Sequence, residues 1–542
     1  MGASGWKYGL LETSSFFCKG EGFSPIRVLL HTLRQDLFLR EILCYKNSMA
    51  KFYVTTAIPY VNSRPHVGHA LEFVQADVVV RYHRQKGEEV LLLSGSDENA
   101  LKNVQAAEKA GIPVQQFINE NAQAFVALAS KLGIRFDVFQ KGSSKDHHTS
   151  SQRLWELCQR AGDIYKKAYE GLYCVGCEAF YTLDELNENQ ECTEHPGRKL
   201  ETISEENYFF KLSKYQDELI TLLEKDELRI IPATRKNEVL SFLKQPLQDI
   251  SISRSNERAK NWGVPVPGDI NQRMYVWFDA LNIYQSGIGL GLDEEQYRKW
   301  WPADVHVIGK GIIRFHAVYW PAFLLSAGLP LPKTLFVHGY LTVGGQKMSK
   351  TVGNVVDPFP LVEKYGADAV RYFLLREIPS AEDGDFTQEK FEGRYNADLA
   401  SGLGNQVKRI LTLADTHDVK VTFPDRKIVI DEWGVRGLWK LLENFEFDKA
   451  LELIWRRLSP SERATMKSGI FSSVNEISIS IETARPFDPK TPKEVTRDNI
   501  IENMIGLWSI AIALEPFLPE TSGKIKVQLS GGERTSLFPR LS

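Results

Sequence analysis

The stretch KFYVTTAIPYVNSRPHVGHALEF, Lys51 to Phe73, decides the fold of this 542-residue chain. The sequence predicts a strand over FYVTTA, a loop over IPYVNSRP, a helix from His66 to about Lys86 and, after Gly87, a second strand over EVLLLSG. The predicted helix carries one buried stripe, made of Val67, Ala70, Leu71, Val74 and Val78. Strand, helix and strand in this order predict a βαβ unit, and hence a parallel sheet with a right-handed crossover. Ligands bind such sheets at the carboxyl ends of the strands, where the loop and the helix start lie.

The rest of the chain divides into segments of different pattern. A polar, cysteine-containing stretch at 166–214 interrupts the α/β alternation, as an inserted subdomain does. The alternation resumes with MYVWFDAL (from Met274), DVHVIGKG (from Asp304) and KTLFVHGYLTVGG (from Lys333). In DPFPLVEKYG, Asp357 and Pro358 predict a helix start and Gly366 its end. The predicted segments are an N-terminal extension (1–48), a Rossmann-like catalytic domain in two halves (49–165 and 215–345) around the insertion (166–214), a loop with a connecting segment (346–395), and an α-helical bundle (396–542).

Composition narrows the class of protein. Hydrophobic residues make up 43% of the chain and charged residues 25%, which predicts globular domains whose cores fold without disulfides. The formal net charge of -3 gives no overall basic field, so a nucleic-acid contact must come from local patches. No apolar run approaches the roughly 20 residues of a membrane span, so we expect a soluble protein with no membrane partner.

The first 48 residues differ from the rest, and the strand pattern begins directly after Met49. Two interpretations stay open: an organellar transit peptide, or sequence upstream of a start at Met49. Glu12, Glu21, Asp36 and Glu41 do not fit the acid-poor pattern of a transit peptide. This favours the second interpretation and a cytoplasmic protein, with organellar targeting as the alternative.

The first candidate site is the histidine pair of PHVGH. His66 and His69 lie three residues apart at a helix start, on one face of the helix. The backbone N–H groups of a first turn lack helical partners and bind anions, so the pair predicts a phosphate site. The alternative is two ordinary polar residues in a first turn. A zinc site is disfavoured because the glutamate of the His-Glu-x-x-His motif is absent.

The second candidate site is the loop GGQKMSKT, Gly344 to Thr351. The two glycines predict a tight turn after a strand, and Lys347 and Lys350 follow where no helix or strand pattern holds them. Two ammonium groups on a mobile loop can close over a polyphosphate and neutralise charge that develops during a reaction. The alternative is a pair of solvated surface lysines.

Together with the intervening blocks TTAIPYVNSRPHVGH, GSDEN, MYVWFDAL, HVIGKGIIRFHAVYWPA and HGYLTVGGQKMSKT, these two sites resemble the methionyl-tRNA synthetase family of class I aminoacyl-tRNA synthetases. The resemblance runs from about Lys51 to Leu518. It implies activation of L-methionine with ATP, accompanied by Mg²⁺, to methionyl-adenylate and pyrophosphate. It also implies transfer of the methionyl group to initiator and elongator tRNA(Met).

The resemblance assigns roles to individual residues. The implied catalytic residues are His66, His69, Lys347 and Lys350, and the implied ATP site consists of these four with Gly68, Ser349 and Thr351. The implied methionine site consists of Ile58, Tyr60, Asp97, Trp277, Ala280, Leu281, Tyr284 and His316, with Asp97 binding the ammonium group. An apolar aromatic pocket suits the soft, polarizable thioether of methionine. For Trp277 and Tyr284 the alternative is ordinary core packing.

The cysteines of the insertion form a second kind of site. Cys174-x-x-Cys177 and Cys192-x-x-His195 supply four soft or borderline ligands in two knuckles. This spacing predicts one tetrahedral zinc ion per chain with no open coordination position, which indicates a structural role. The alternative is a group of buried thiols. The resemblance places a zinc-bearing connective peptide in the same part of the chain.

In the helical bundle the resemblance implies recognition of the anticodon by Asn405, Arg409 and Phe487. Aromatic side chains stack on unpaired RNA bases, and Phe487 replaces the tryptophan usual in the family. A stem-contact role is implied for 346–395. The segment 459–473 is extra relative to the family. Because no dimerising domain follows the bundle, we expect a monomer.

Two departures from the family concern residues of the site. Gly311, in GKGI, stands where the family usually has aspartate, which removes a carboxylate near the ribose and methionine sites. Thr351 stands where many relatives have serine and keeps the hydroxyl. Two alternatives to the main interpretation remain: a catalytically impaired homologue that binds RNA, and a class I synthetase of the same subgroup for cysteine or leucine.

Overall fold

The computed structural model describes residues 50–541, apart from 175, 177–178, 182, 184–185, 195–196, 198–199, 349–352, 436, 457–472 and 489. Several predicted features therefore lie outside the described residues. They are the N-terminal extension 1–48, the predicted zinc ligands Cys177 and His195, the loop residues Ser349, Lys350 and Thr351, and residues 459–472 of the extra segment. Among the helices described, none is long and apolar enough to cross a membrane.

The unit that begins at Lys51 is built around a six-stranded sheet. Its strands are β1 (Lys51–Thr56), β2 (Glu89–Ser96), β3 (Val138–Lys141), β4 (Arg229–Ile231), β5 (Val305–Gly309) and β6 (Thr334–His338). They lie in the order β3-β2-β1-β5-β6-β4, and every pair is parallel. The predicted parallel sheet is confirmed. Its chain order reverses between β1 and β5, which is where a crevice for ligands opens at the carboxyl edge.

The helix between β1 and β2, α1, spans Val67–Gln85, with His66 as N-cap and Lys86 as C-cap. Its predicted bounds are confirmed, but the prediction of a single buried stripe is wrong, because Glu72, Gln75 and Asp77 are buried as well. The helix lies between the sheet and the helices that follow it in the C-terminal half of the chain. Gln75 donates to the Ser380 carbonyl and Asp77 pairs with Arg371 on that second side. Glu72, in contrast, lies 3.0 Å from Nε2 of His338 at the end of β6. These distant polar partners, absent from any local pattern, allow the three residues to be buried.

Arg371 provides the main polar contact on that second side of α1. Its side chain is fully buried, and Nη1 lies 2.7 Å from Oδ2 of Asp77. Nε and Nη2 donate to the carbonyl oxygens of Phe517 and Pro516 at 2.7 and 3.0 Å. A buried guanidinium needs such partners, because an unpaired charge in a protein interior costs several kcal/mol. Arg371 thus ties the end of the helical region to the helix that starts at the histidine pair.

Further helices and short helical turns surround the sheet. They are Leu101–Ala110, Val114–Lys131, Lys145–Arg160, Leu212–Tyr215, Gln216–Glu224, Ala233–Leu243, Val276–Leu281, Ile283–Ser286, Glu294–Trp300, Lys310–Ile312, Phe315–Tyr319 and Trp320–Ala327. Of the three sequence blocks in which the α/β alternation resumes, DVHVIGKG contains β5 and KTLFVHGYLTVGG contains β6. MYVWFDAL instead begins with the last residue of an antiparallel strand and continues as the helix Val276–Leu281.

Smaller sheets carry the chain between β3 and β5 and after β6. Antiparallel pairing joins Ala179–Tyr181, Ile164–Cys174, Glu201–Phe210 and Ile250–Ser251 in that order. A second sheet contains Pro265–Val266, Asp269–Met274 and Ser253–Ser255. A third contains Gln346–Lys347, Leu341–Val343 and Gly384–Phe386. The long strand pair Ile164–Cys174 and Glu201–Phe210 extends from the parallel-sheet core into the segment predicted as an insertion.

From Pro358 onwards the described residues are mainly helical, as the sequence predicts. The helices are Pro358–Tyr365, Ala367–Arg376, Gln388–Arg394, Tyr395–Gly404, Asn405–Thr416, Arg426–Val435, Leu438–Glu443, Phe447–Trp455, Val474–Ala484, Lys493–Leu514 and Pro519–Leu529. Asp357 caps the first of them by accepting from the Phe359 N–H at 2.9 Å, and Gly366 ends it. The predicted fold class, an α/β parallel-sheet domain followed by a helical region, is confirmed.

Candidate active site

His66 and His69 cap the start of α1 through their own side chains. Nδ1 of His66 accepts from the Gly68 N–H, and Nδ1 of His69 accepts from the His66 N–H, both at 3.1 Å. The ring centroids are 3.9 Å apart. A nitrogen that accepts from a backbone N–H carries no proton, so in a neutral imidazole the proton is on Nε2. Each histidine can therefore present an Nε2–H donor to an oxyanion.

The backbone of this first turn is already satisfied. The Val67 N–H donates to the Val356 carbonyl at 3.0 Å, and the Gly68 N–H donates to His66. The prediction that the backbone N–H groups of His66 and His69 are available to an anion is wrong as well, because the His66 N–H donates to Nδ1 of His69 at 3.1 Å and the His69 N–H donates to the His66 carbonyl at 2.9 Å. An anion at this turn can be met by the imidazoles rather than by these backbone donors.

The surroundings of His69 keep its imidazole uncharged. Its ring meets Phe125 edge-on at 5.0 Å. Burial lowers the pKa of His69 well below its ordinary value, and the nearby His66 and His338 lower it further. A neutral imidazole at pH 7 agrees with the hydrogen bonds of its Nδ1, and it acts as a hydrogen-bond donor rather than as a fixed charge.

Gly68 lies where the helix start meets the KMSKT loop. A Cβ atom at this position would lie 2.9 Å from Cε1 of His66 and 3.3 Å from Cε of Met348. Any other residue would therefore push the capping imidazole and the methionine side chain outward. The close approach joins two sequence motifs that are separated by almost 280 positions in the chain.

Lys347 ends the short strand Gln346–Lys347 directly before Met348. Its Nζ donates to Oε2 of Glu194 at 3.1 Å, and the two side chains are 60% and 46% exposed. Exposed ion pairs of this kind contribute at most about 1 kcal/mol, so Lys347 can leave Glu194 at little cost. The same Nζ lies 5.0 Å from the ring centroid of Tyr340.

Most residues of the predicted methionine site are buried, in contrast to the exposed Lys347. The Tyr284 hydroxyl and Nε2 of His316 are 2.7 Å apart, and Nδ1 of His316 lies 3.0 Å from the Ile312 carbonyl. Since a carbonyl can only accept, Nδ1 carries the proton and Nε2 accepts from the tyrosine hydroxyl. Burial lowers the pKa of His316 to about 4, against the opposing effect of the Ile312 carbonyl. This pair is therefore uncharged at neutral pH.

Aromatic rings form the wall beside this pair. Trp277 stacks on Phe315 with ring centroids 3.7 Å apart. Tyr60 and His316 each meet Trp277 nearly edge-on at 6.4 Å. Tyr60 also pairs with Asp97 across a β-bridge at the ends of β1 and β2, and Asp97 is buried. These contacts bring together five of the eight residues that the resemblance assigns to methionine.

The three other residues of that assignment lie nearby in the fold. Leu281 and Ile58 pack in the core that contains Trp277 and Tyr284, and Ala280 is buried on the same short helix as Trp277.

Three further residues belong to this region although the sequence analysis does not name them. Phe315 stacks on Trp277, His306 lies 4.4 Å from the Tyr284 ring, and Nζ of Lys102 lies 2.8 Å from the Tyr60 ring centroid. Phe315 directly precedes His316 in an aromatic-rich block, which is a signal for a second aromatic wall. No local pattern points to Lys102, which reaches the site from the helix that follows Asp97.

The predicted anticodon residues lie in the helical region. Arg409 and Asn405 are one turn apart on the helix Asn405–Thr416. The guanidinium carbon of Arg409 is 5.6 Å from the ring centroid of Phe487, whose side chain is 56% exposed. An exposed ring backed by a guanidinium is a platform on which a base can stack. A cleft of about 630 Å³ beside Asn405 is lined by the basic residues Lys408, Arg534 and Arg540.

Two of the four predicted zinc ligands are described. Cys174 ends its long strand, Cys192 bridges to Leu186, and both side chains are buried. Two buried cysteines in the same segment suit a zinc site. Cys177 and His195 are not among the described residues, and within those that are described no group of three or more His, Cys, Asp or Glu could hold a metal ion.

Comparison with known proteins identifies relatives over most of the chain. The family model for class I tRNA synthetases (M) matches residues 52–411. The methionine–tRNA ligase of Brucella suis biovar 1 is 39% identical over 482 residues, which cover 88% of this chain and 91% of the relative. That of Mycobacterium bovis is 40% identical over 488 residues and covers the same shares.

A solved structure is also similar over most of its length. Mycobacterium tuberculosis methionyl-tRNA synthetase in complex with methionyl-adenylate matches with a TM-score of 0.79 and 38% identity, covering 88% of this chain and 93% of that one. The chain therefore belongs to the methionine–tRNA ligase family of the class I tRNA synthetases, as its motifs predict.

Proposed function

We propose that this chain activates L-methionine with ATP and transfers the methionyl group to tRNA(Met), through the residues described above. The observation that supports the assignment of the site most strongly is the packing of Met348 against Gly68. It brings a loop lysine and two imidazole donors to one edge of the parallel sheet, beside an uncharged aromatic pocket.

In the first step a carboxylate oxygen of methionine attacks the α-phosphorus of ATP, and the bond to pyrophosphate breaks. Neither event requires a protein base, so catalysis consists of positioning and charge stabilisation. The Nε2–H groups of His66 and His69 donate to the phosphate oxygens on which charge develops. Lys347, with Lys350, neutralises the departing pyrophosphate. Mg²⁺ accompanies ATP and screens the negative charge of its phosphates.

The aromatic pocket selects the side chain of methionine. Trp277, Tyr60 and the Tyr284–His316 pair offer ring faces and edges, which attract a polarizable sulfur atom. Because the Tyr284–His316 pair is uncharged at neutral pH, it presents no desolvated charge to the apolar side chain. Asp97, at the end of β2, binds the substrate ammonium. A pocket of this kind separates substrates that differ by one methylene by about 1–3 kcal/mol.

The second step transfers the methionyl group to the terminal adenosine of the tRNA. Asn405, Arg409 and Phe487 contact the anticodon, with residues 346–395 along the tRNA stem. Exposure of Phe487 and its contact with Arg409 support this assignment. Phenylalanine stacks on a base but lacks the indole N–H donor of tryptophan, so recognition at this position relies on stacking.

The insertion holds one structural zinc ion through Cys174, Cys177, Cys192 and His195. Burial of Cys174 and Cys192 supports this, because a closed four-ligand site excludes water. Metal analysis of protein purified without chelator checks the assignment. We expect about one zinc per chain, the occupancy of a closed structural site, and a Cys174→Ser variant well below that; zinc-free wild-type protein would contradict it.

We place the protein in the cytoplasm as a monomer, with residues 1–48 absent from the working enzyme. N-terminal sequencing of the native protein checks whether residues 1–48 are absent, and light scattering of the purified protein checks whether it is a monomer. A mature end well upstream of Met49 or a stable dimer would contradict them.

Methionine-dependent ATP–pyrophosphate exchange tests the main proposal, with protein that begins at Met49 and a panel of amino acids. We expect exchange with methionine and little with cysteine or leucine. His66→Ala and His69→Ala should depress exchange far more than methionine binding, and Lys364→Ala, at an exposed lysine paired with Glu392, serves as control.

The alternative is a catalytically impaired homologue that binds RNA, which Gly311 and Phe487 favour. It predicts binding of tRNA(Met) with no exchange. That result with a folded protein would reject activation as the function of this chain.

A further inference from the structure

Tyr340 lies just after β6, between two lysines of the phosphate side. Its ring centroid is 4.6 Å from Nζ of Lys310 and 5.0 Å from Nζ of Lys347. Ammonium groups within about 6 Å of an aromatic centroid are attracted by the negative face of the ring. The tyrosine therefore contacts the lysine that precedes Met348, and it does so at the carboxyl edge of the sheet.

The backbone of Tyr340 is held on both sides. Its N–H donates to Oδ1 of Asp383 at 2.8 Å, and its carbonyl accepts from the Gly384 N–H at 3.0 Å. The other oxygen of Asp383 accepts from Nζ of Lys310 at 2.7 Å. The ring thus projects from a fixed point, and one of its two lysine neighbours is fixed as well.

Gly311 determines where the phenol hydroxyl lies. A Cβ atom at position 311 would collide with Oη of Tyr340, whereas Cζ of the ring would lie 3.2 Å away. Gly311 is not among the glycines with a positive φ, so its backbone would accept an ordinary residue. The requirement for glycine at this position therefore comes from the hydroxyl of Tyr340, not from the conformation of the turn Lys310–Ile312.

Lys347, in contrast, is 60% exposed and lies at the edge of a loop. A long side chain in such a position samples many rotamers, and each restriction of that freedom favours one arrangement. A fixed aromatic face at 5.0 Å supplies such a restriction without the desolvation cost of a buried ion pair.

We propose that Tyr340, seated over Gly311, is a positioning residue that holds the ammonium group of Lys347 at the edge of the sheet where pyrophosphate departs. This inference rests on the proposed activation of methionine. It gives the departure at Gly311 a structural meaning, since the space of the missing aspartate side chain holds the tyrosine hydroxyl.

The first test removes the ring. Tyr340→Leu should lower kcat for ATP–pyrophosphate exchange about twofold to fivefold, the range of an exposed cation–π contact, and leave the methionine KM unchanged. Combined with Lys347→Ala, it should cost less than the product of the two single effects, because both remove the same interaction. Tyr340→Phe, which keeps the ring, should restore most of kcat.

The second test exploits the contact with Gly311. Gly311→Ala should displace the phenol and lower both kcat and the melting temperature, whereas Gly523→Ala, where nothing lies within 4 Å of the added methyl group, serves as control. The double variant Gly311→Ala with Tyr340→Phe should recover part of both quantities, because the nearest remaining ring atom, Cζ, lies 3.2 Å from the added methyl group and needs to shift by only a few tenths of an ångström.

The outcomes separate this inference from the proposed function. A double variant no better than Gly311→Ala would overturn the contact, and independent effects of Tyr340→Leu and Lys347→Ala would overturn the positioning role. Either result, with full wild-type exchange, leaves methionine activation standing. Absence of exchange in the wild-type chain would overturn both.

Discussion

The two sides of the candidate site are built in different ways. On the methionine side, Tyr284 and His316 are almost fully buried, hydrogen-bonded to each other and uncharged at neutral pH. On the phosphate side, His66 and His69 are only partly buried, and Lys347 is 60% exposed. A preformed apolar surface suits recognition of a substrate that does not change during the step. Charge that moves from ATP to pyrophosphate is better met by donors at a helix start and a loop that can close.

Removal of Lys347 is the change with the largest expected effect on activity. Lys347→Ala takes away a cation from the group that leaves, and loss of one such contact to a transition state costs about 10²–10³ in rate. We expect a fall of that size in kcat of ATP–pyrophosphate exchange, with an unchanged methionine KM. A rise in the methionine KM by the same factor as the fall in kcat would mean that the phosphate side and the methionine side do not function separately.

A second test uses the pH dependence of stability. The pKa of His316 is about 4 in the folded protein, because of burial, and near 6.5 in the unfolded chain. Between these values the unfolded chain binds a proton that the folded chain does not, so stability rises with pH through this window and is level above it. The full shift corresponds to about 3 kcal/mol.

Urea unfolding at pH 7 and pH 5 measures the part of this difference that falls above pH 5, which is about 2 kcal/mol. We expect His316→Gln to lose less stability than the wild type when the pH falls, since glutamine has no proton to gain. Parallel losses in both proteins would show that His316 does not contribute to acid sensitivity. Partly buried histidines whose pKa is lowered by burial without a contribution from His316, such as His83 and His148, contribute equally to both proteins and cancel in the comparison. His306 does not cancel, because His316 contributes to lowering its pKa.

Removal of the Tyr284 hydroxyl tests the methionine side separately from the phosphate side. Tyr284→Phe leaves Nε2 of His316 without its donor, and a buried polar atom deprived of its partner costs about 1–3 kcal/mol. We expect the methionine KM to rise about tenfold with little change in kcat. Tyr297→Phe removes a comparable buried hydrogen bond, to Gln285 outside the site, and should leave the methionine KM unchanged. A fall in kcat alone would contradict the role assigned to the pocket.

The smallest effect is expected at Phe487, which lies in the helical region rather than on either side of the site. Phe487→Ala removes a stacking surface, worth about 1 kcal/mol at the lower end of the range for one base. Aminoacylation should show a tRNA KM raised about fivefold, with ATP–pyrophosphate exchange unchanged. Phe487→Trp should restore tRNA binding. A loss of exchange in Phe487→Ala would indicate a structural role for the residue.

The phosphate side and the methionine side also differ in how far they could be predicted from the sequence. The phosphate side is local in sequence, because the histidines occupy one helical turn and the lysine motif follows one strand. Spacing indicates both motifs as candidates, and their occurrence together with the intervening blocks separates them from ordinary surface residues. The contacts of Tyr340 join the ends of β5 and β6 with the lysine loop, three segments whose proximity no local pattern reveals. Glu194 reaches Lys347 from the insertion, and nothing in its sequence surroundings indicates that.

The sequence by itself determined the first βαβ unit, the parallel sheet, the helical C-terminal region and the family, because hydrophobic periodicity, capping residues and motif spacing are local properties of the chain. Only the tertiary structure decided that α1 buries Glu72, Gln75 and Asp77, that the N–H groups of Val67 and Gly68 are already bonded, and that Tyr340 lies over Gly311. Each of these depends on partners far away in the sequence. Burial of a polar group is tolerated only where such a partner exists, and the packing of the whole fold supplies it.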